Sequence, residues 1–248
     1  MIPYHIPVML NECVEALNIN PEGTYVDLTF GGGGHAKAIL EKLTTGKLYA
    51  FDQDQDAVQN ADAIDSENLI FVAANFRHLK RYLRLHGVKQ VDGILGDLGI
   101  SSHQIDTPER GFSTRFEGDL DMRMNTKDSL TAEELLNTYS EADLHKILGK
   151  YGEVRNARTL ARAIVSQRIN EPFSTISAFK TLLTKHAPRH KEFRYFAQVF
   201  QAIRIAINDE MKALEEVLEQ SSEMLKKEGR LVVLTYHSLE DRLVKSFI

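Results

Sequence analysis

The chain reads as an α/β protein: a parallel sheet with helices on both faces, interrupted by a mostly helical insertion. Three observations predict it. Apolar runs that suit strands alternate with helical segments over the first hundred residues. The first run, Thr24 to Leu28, passes through Asp27 into four consecutive glycines, Gly31 to Gly34, that open a helix. The alternation then stops and resumes at Arg230–Thr235, so the stretch between interrupts one sheet rather than following it.

Residues 1–20 predict an extended start and a short helix from Val8 onward, with Val8, Met9, Cys13, Val14 and Leu17 at helical spacing. His5, ahead of Pro7, is either a polar lead-in or a residue that folds over the glycine loop. Ala36 to Leu43 reads as a helix. Lys47–Phe51 reads as a second strand ending at Asp52, with Asp54 or Asp56 capping the helix that follows. Leu69–Ala73 is a third strand, leading into Asn75, Phe76 and a basic amphipathic helix to His86. Val91–Leu95 is a fourth, running into Gly96–Ser102. Turn formers and charges dominate residues 104–128, including Glu109–Ser113 (ERGFS) and Leu120–Met124 (LDMRM).

From Ser129 the pattern is helical. Thr131 with Glu134 fits a capping box, and Ser140 with Asp143 a looser one. Residues 154–169 place Arg155, Arg158 and Arg162 on one helix face. Ser174 or Ser177 starts another helix, closed near Pro188. Residues 197–227 form one long amphipathic helix ended by Gly229. The predicted division is residues 1–104 with 197–248 as the sheet domain, and 105–196 as the insertion.

Composition narrows the class. A single cysteine, Cys13, excludes an internal disulfide and a cysteine metal site and fits a reducing compartment. No apolar run approaches the ~18 residues of a membrane span, so a soluble cytoplasmic protein without a membrane partner is expected. The net charge of −5 hides an asymmetry. Residues 144–196 hold eleven Lys and Arg against three Asp and Glu, a balance of +8 that leaves −13 for the remainder. A basic block in an acidic chain points to a polyanion contact at one place, or to helix faces solvated by Lys and Arg.

The chemistry begins at the glycines. In an open α/β sheet ligands bind outside the carboxyl ends of the strands, and glycine lets them approach the backbone. Asp52, at the end of the second strand, is placed to accept both hydroxyls of a ribose. The glycines exclude a P-loop, since no GK[ST] follows them. A dinucleotide fingerprint starting at Gly31 would put Ala36 third, an allowed variant, so an NAD-linked oxidoreductase stays open. An adenosine cofactor without phosphate, such as S-adenosylmethionine, needs the loop and the acid but no pyrophosphate seat. Asp97, ending the fourth strand, offers the acceptor that would direct an exocyclic amine at a methyl carbon. Amine methyltransferases often follow this acid with two prolines; Leu98 and Gly99 stand here. No metal cluster is visible, and methyl transfer needs none.

Seven segments resemble one family: His5–Leu10 (HIPVML), Tyr25–His35 (YVDLTFGGGGH), Asp92–Gln104 (DGILGDLGISSHQ), ERGFS, LDMRM, Phe200–Asn208 (FQAIRIAIN) and Tyr236–Arg242 (YHSLEDR). Together they span almost the whole chain and resemble the bacterial 16S ribosomal RNA (cytosine-N4)-methyltransferases. The resemblance implies a Rossmann-like S-adenosylmethionine-dependent methyltransferase sheet, split by a helical substrate-recognition insertion. The substrate implied is N4 of a decoding-centre (P-site) cytosine in 16S rRNA of the small ribosomal subunit. The implied cofactor contacts are Gly33, Gly34, His35, Asp52, Phe76, Asp97 and Gln104, with Asp97 catalytic.

Arg155, Arg158, Arg162, Lys185 and Arg189, with Lys180, Lys191 and Arg194, are the implied RNA surface. Ser101, Ser102, Tyr236 and His237 would wall the base pocket. The family usually has a small polar residue where Ala36 stands. It also continues past the position of Ile248, so the sheet is expected to lack its last strands. A non-catalytic RNA-binding assembly factor with a retained pocket is the further alternative. A homodimer is compatible with the sequence, which does not set the oligomeric state.

Overall fold

The structure, a computed structural model, describes residues 7–248; the expectation for His5 lies outside them. The chain forms two compact units, one of residues up to Ser101 together with Met211–Ile248, the other Ser102–Glu210.

The first unit begins with α1 (Leu10–Ala16) and β1 (Thr24–Asp27), followed by α2 (Gly34–Leu40), β2 (Lys47–Asp52), α3 (Asp56–Asp62) and β3 (Leu69–Ala73). A 3₁₀ turn at Phe76–His78 leads into α4 (Leu79–Leu85), then β4 (Val91–Asp97). The N-cap position of α3 is Gln55, with no side-chain cap. Asp54 instead accepts the Asp56 N–H at 3.1 Å from one position further out, so neither predicted aspartate caps the helix.

The second unit holds α5 (Ser102–Asp106), a 3₁₀ turn at Pro108–Arg110, α6 (Ala132–Thr138), α7 (Glu141–Gly152), α8 (Ala157–Arg168), α9 (Ile176–His186) and α10 (Glu192–Asn208). The predicted caps at Thr131 and Ser140 accept N–H bonds from Glu134 and Asp143, each at 3.1 Å. Two expectations are corrected. Arg155 lies in the turn before α8, so only Arg158 and Arg162 share its face. The cap of α9 is Thr175, which accepts the Ala178 N–H at 3.2 Å, rather than either serine. In this unit the LDMRM segment is held by Asn208, which donates to Met122 O at 2.8 Å and accepts from Met124 N at 2.7 Å.

The long helix expected over residues 197–227 is two helices. Asp209 takes a left-handed conformation (φ 49°) that ends α10, and α11 (Glu210–Met224) starts at the next residue. Nor does Gly229 end a helix: β5 (Leu225–Leu234) already runs through it, with a register shift against β4. The chain closes with α12 (Ser238–Phe247).

The five strands are all parallel in the order β3-β2-β1-β4-β5. Successive residues of a strand point to opposite faces, and here both faces are apolar. Val26, Tyr49, Phe51 and Ile94 pack with Leu79 and Leu83 of α4, Leu214, Val217 and Leu218 of α11 and Val244 of α12. Tyr25, Leu48, Ala50 and Leu95 pack with Cys13 and Val14 of α1, Ala36 and Ile39 of α2 and Ala57 and Ala61 of α3. Two-sided burial explains why these strands read as continuous apolar runs instead of alternating ones. Each large side chain removed from water contributes about 1.5–3 kcal/mol, so both helical layers are bound to the sheet. Among the described residues no helix is long and apolar enough to cross a membrane.

Candidate functional site

The strand order reverses its direction of growth between β1 and β4, the point where open α/β sheets leave a crevice at their carboxyl ends. Three carboxylates end the three strands there: Asp52 on β2, Asp27 on β1 and Asp97 on β4. The backbone continues the sheet pairing just past β1, with Leu28 N–H on Leu95 O at 2.8 Å and Phe30 N–H on Phe51 O at 2.9 Å. The glycine loop is thereby anchored on both sides.

Gly31 has φ +52°, and a Cβ built on it would meet nothing nearer than Ser101 Cβ at 3.9 Å. The space above its Cα is open, while its N–H donates to Asp52 Oδ2 at 2.7 Å and its O accepts from Asn60 Nδ2 at 3.1 Å. Gly34 serves differently: a Cβ there would lie 2.3 Å from Pro7 Cγ. Its glycine character admits the segment that enters α1. Gly33, the N-cap residue of α2, sits over Phe30.

Asp52 accepts from two backbone amides, Gly31 at Oδ2 and Asp54 at Oδ1 (2.8 Å). Burial nevertheless raises its pKa to about 6. Asp27 is 1% exposed; its Oδ1 accepts the Thr29 N–H at 3.0 Å, and its Oδ2 has no hydrogen-bond partner among the described residues. Burial, with repulsion from Asp52 and Asp97, raises its pKa to about 7.

Asp97 is placed by two contacts. Its N–H donates to Thr29 Oγ1 at 2.7 Å, and its Oδ1 accepts the Tyr236 hydroxyl at 2.7 Å. Burial and the Asp97 carboxylate push the Tyr236 phenol well above its usual range, so it remains a donor. His35, in the first turn of α2, points Nδ1 at Asp97 Oδ2 over 3.8 Å; its Nε2 is buried with no hydrogen-bond partner among the described residues. Burial lowers the His35 pKa and favours the neutral ring. Coupled acids, a buried unpartnered carboxylate oxygen and the open space above Gly31 suit a cationic ligand that also carries hydroxyl groups.

Of the remaining predicted residues, Phe76 is half-buried at the 3₁₀ turn after β3, against the α4–α11 core. Gln104 is buried on α5 of the second unit, where Ser102 begins the same helix. Ser101 lies beside Gly31 and Tyr236 beside Gly99. His237 is an anchor: its Nδ1 accepts the Glu240 N–H at 3.3 Å in a capping box that starts α12. Arg155, Arg158, Arg162, Lys185 and Arg189 are exposed on the second unit, and Arg162 faces Glu141 at 3.6 Å.

The sequence marks Asp27 at the end of the first strand and Gly31 in the glycine loop, but it gives Thr29 no role. Nothing local marks Thr29 as the group that holds Asp97, because the contact spans 68 residues.

A model of the MraW methylase family matches residues 3–248. A ribosomal RNA small subunit methyltransferase H of Cytophaga hutchinsonii is 61% identical over 99% of this chain and 82% of its own length. Its namesake from Flavobacterium johnsoniae is 54% identical over 99% of this chain and 81% of its own length. Among solved structures, an rRNA methylase from Streptococcus thermophilus covers 48% of this chain and 71% of its own with 23% identity and a TM-score of 0.30, too loose a likeness to bear on the site.

Proposed function

The chain belongs to the MraW methylase family, and from that premise we propose that it methylates N4 of a decoding-centre (P-site) cytosine in 16S rRNA. It is an S-adenosylmethionine-dependent rRNA small subunit methyltransferase, which removes the NAD-linked oxidoreductase alternative. When bound, the cofactor supplies an electrophilic methyl group on a positively charged sulfur. Every other task falls to the chain.

In this reading the open space above Gly31 and the adjoining Gly33–Gly34 turn seat the ligand. Asp52 takes the ribose hydroxyls on the acceptor capacity its two backbone bonds leave. Phe76 offers an apolar face to the adenine. Asp27 and His35 bring polar atoms toward the cofactor's amino-acid end.

Asp97 is the catalytic residue. Cytosine N4 is a poor nucleophile because its lone pair is delocalised into the ring. A carboxylate that accepts its N–H holds the nitrogen in line and stabilises the charge it develops. A carboxylate accepts up to about four hydrogen bonds, so the Tyr236 bond and an amine N–H are compatible on one group. The basic residues of the second unit would hold phosphates, and the target base must leave its stack to reach Asp97. A ribosomal substrate places the protein in the cytoplasm.

The single observation behind the reading is Asp97, fixed from Thr29, just past β1, and from Tyr236 at the crevice beside the glycine loop. The test is transfer of tritiated methyl to small subunits that lack the modification, followed by nucleoside analysis. N4-methylcytidine is expected, with turnover falling at least about 100-fold in Asp97→Ala. Label on another nucleoside, or full turnover in that variant, overturns the reading. Binding to small subunits with no transfer by the wild type would return the assembly-factor alternative.

A further inference from the structure

The basic residues of the second unit are scattered in sequence, yet one side chain gathers several of them. Asn156, in the turn before α8, donates to His186 O at the end of α9 at 3.0 Å. Its Oδ1 accepts the Tyr195 hydroxyl from the first turn of α10, also at 3.0 Å. Three chain segments therefore meet at one corner. Arg155 adjoins Asn156, Lys185 adjoins His186, and Arg194 adjoins Tyr195, while Arg189 and Lys191 occupy the link between α9 and α10. All five cations are exposed. The acidic residues of these segments are Glu153 and Glu192, and Glu192 is engaged by the His190 N–H at 3.1 Å. Arg162 is outside the corner, paired with Glu141.

Phe193 projects from the same corner. Its helix neighbours Tyr195 and Phe196 are buried, at 4% and 7% exposure. Phe193 is 86% exposed, the most exposed aromatic among the described residues. A lone exposed aromatic is unremarkable on a protein surface. An exposed aromatic ring flanked in sequence by Lys191 and Arg194, on segments that carry three further exposed cations, is the pattern of a surface that tracks a phosphate backbone and stacks a base.

We propose that this corner is a platform for single-stranded RNA, with one unpaired base stacked on Phe193 and the adjoining phosphates on Arg155, Lys185, Arg189, Lys191 and Arg194. The proposal rests on the reading that RNA is the substrate, and it adds where an unpaired segment is gripped apart from the methylated base. Duplex RNA buries its base faces and offers nothing to the ring.

The chain has no tryptophan, so Phe193→Trp installs a sole indole reporter at the site. Titration with a single-stranded oligoribonucleotide is expected to quench its fluorescence saturably, and the matching duplex to leave it unchanged. Phe193→Ala is expected to weaken single-strand binding about tenfold or more, within the range of one stacked base, while Phe193→Tyr retains it. With small subunits, Phe193→Ala should raise KM and leave kcat and cofactor affinity unchanged. Arg189→Glu with Lys191→Glu should weaken binding and reduce its salt dependence.

Unchanged RNA affinity and unchanged KM in Phe193→Ala, or equal quenching by the duplex, overturns the platform. If methyl transfer proceeds in that case, the functional reading stands without it. Quenching by single strands with no methyl transfer by the wild type would instead sink the functional reading and keep the platform.

Discussion

The Tyr236 hydroxyl donates to Asp97 Oδ1 at 2.7 Å across 139 residues of chain. The tyrosine is set in turn by Glu240, whose Oε2 accepts the Tyr236 N–H at 2.8 Å. The buried Glu240 carboxylate thus joins the start of α12 to the β4 carboxylate that we assign to catalysis. Tyr236 is a positioning residue: it sets the rotation of Asp97. A hydrogen bond to a charged group is worth about 1.5–3 kcal/mol. Tyr236→Phe is therefore expected to lower kcat about 10- to 100-fold, with cofactor affinity unchanged. Steady-state kinetics on small subunits check this, and a rise in KM alone would show that the ring matters only for packing.

Asp52 joins the glycine loop to β2 through the Gly31 and Asp54 amides. Asp52→Ala removes both acceptors and the proposed ribose contact. Calorimetric titration with S-adenosylhomocysteine should show affinity reduced at least about tenfold. Melting of the cofactor-free variant reports the loss of loop anchoring separately. Unchanged affinity would take Asp52 out of the site.

Asp27 gives the fold a pH dependence of defined sign. Burial lifts its pKa from 3.8 to about 7, so between those values the folded chain holds a proton that the unfolded chain releases. Stability then falls as pH rises from about 4 to about 7 and levels off above that. Asp27→Asn removes this contribution while keeping an acceptor for the Thr29 N–H. The variant's melting temperature should gain on wild type steadily from pH 4 to pH 7, measured without cofactor. Asp52, raised to about 6, leaves a residual slope of the same sign in both proteins. A difference that does not vary with pH would show that Asp27 is ionised throughout.

Gly34→Ala sets two effects against each other. Alanine favours a helix by about 1 kcal/mol over glycine. The added Cβ, however, would lie 2.3 Å from Pro7 Cγ and 2.9 Å from its Cδ, and overpacking of that kind costs about 1–3 kcal/mol. The clash should win, lowering the melting temperature by a few degrees. A more stable variant would show that the Pro7 segment moves aside at no cost.

Much of the fold was legible because it is locally encoded. A buried parallel strand is a short apolar run, and the residue that ends it is the one that meets the crevice, so Asp52 and Asp97 could be placed from position alone. The basic character of the second unit was likewise a count. The failures share a cause. Arg155 sits in the turn before its helix, Thr175 rather than a serine caps α9, and Asp209 breaks what the apolar stripe presents as one helix. Helix ends depend on backbone conformation at single residues, which periodicity does not register.

The sequence by itself determined the alternation of strands and helices through β4, the acids at the strand ends and the glycine turn, since each follows from side-chain periodicity and near-neighbour chemistry. Only the tertiary structure decided which of those acids loses water, that Gly34 accommodates Pro7, that Tyr236 reaches Asp97, and that Asn156 joins the segments before α8, at the end of α9 and at the start of α10. These are relations between residues far apart in the chain. Their energies arise from burial and contact that exist only once the sheet and the helices have packed.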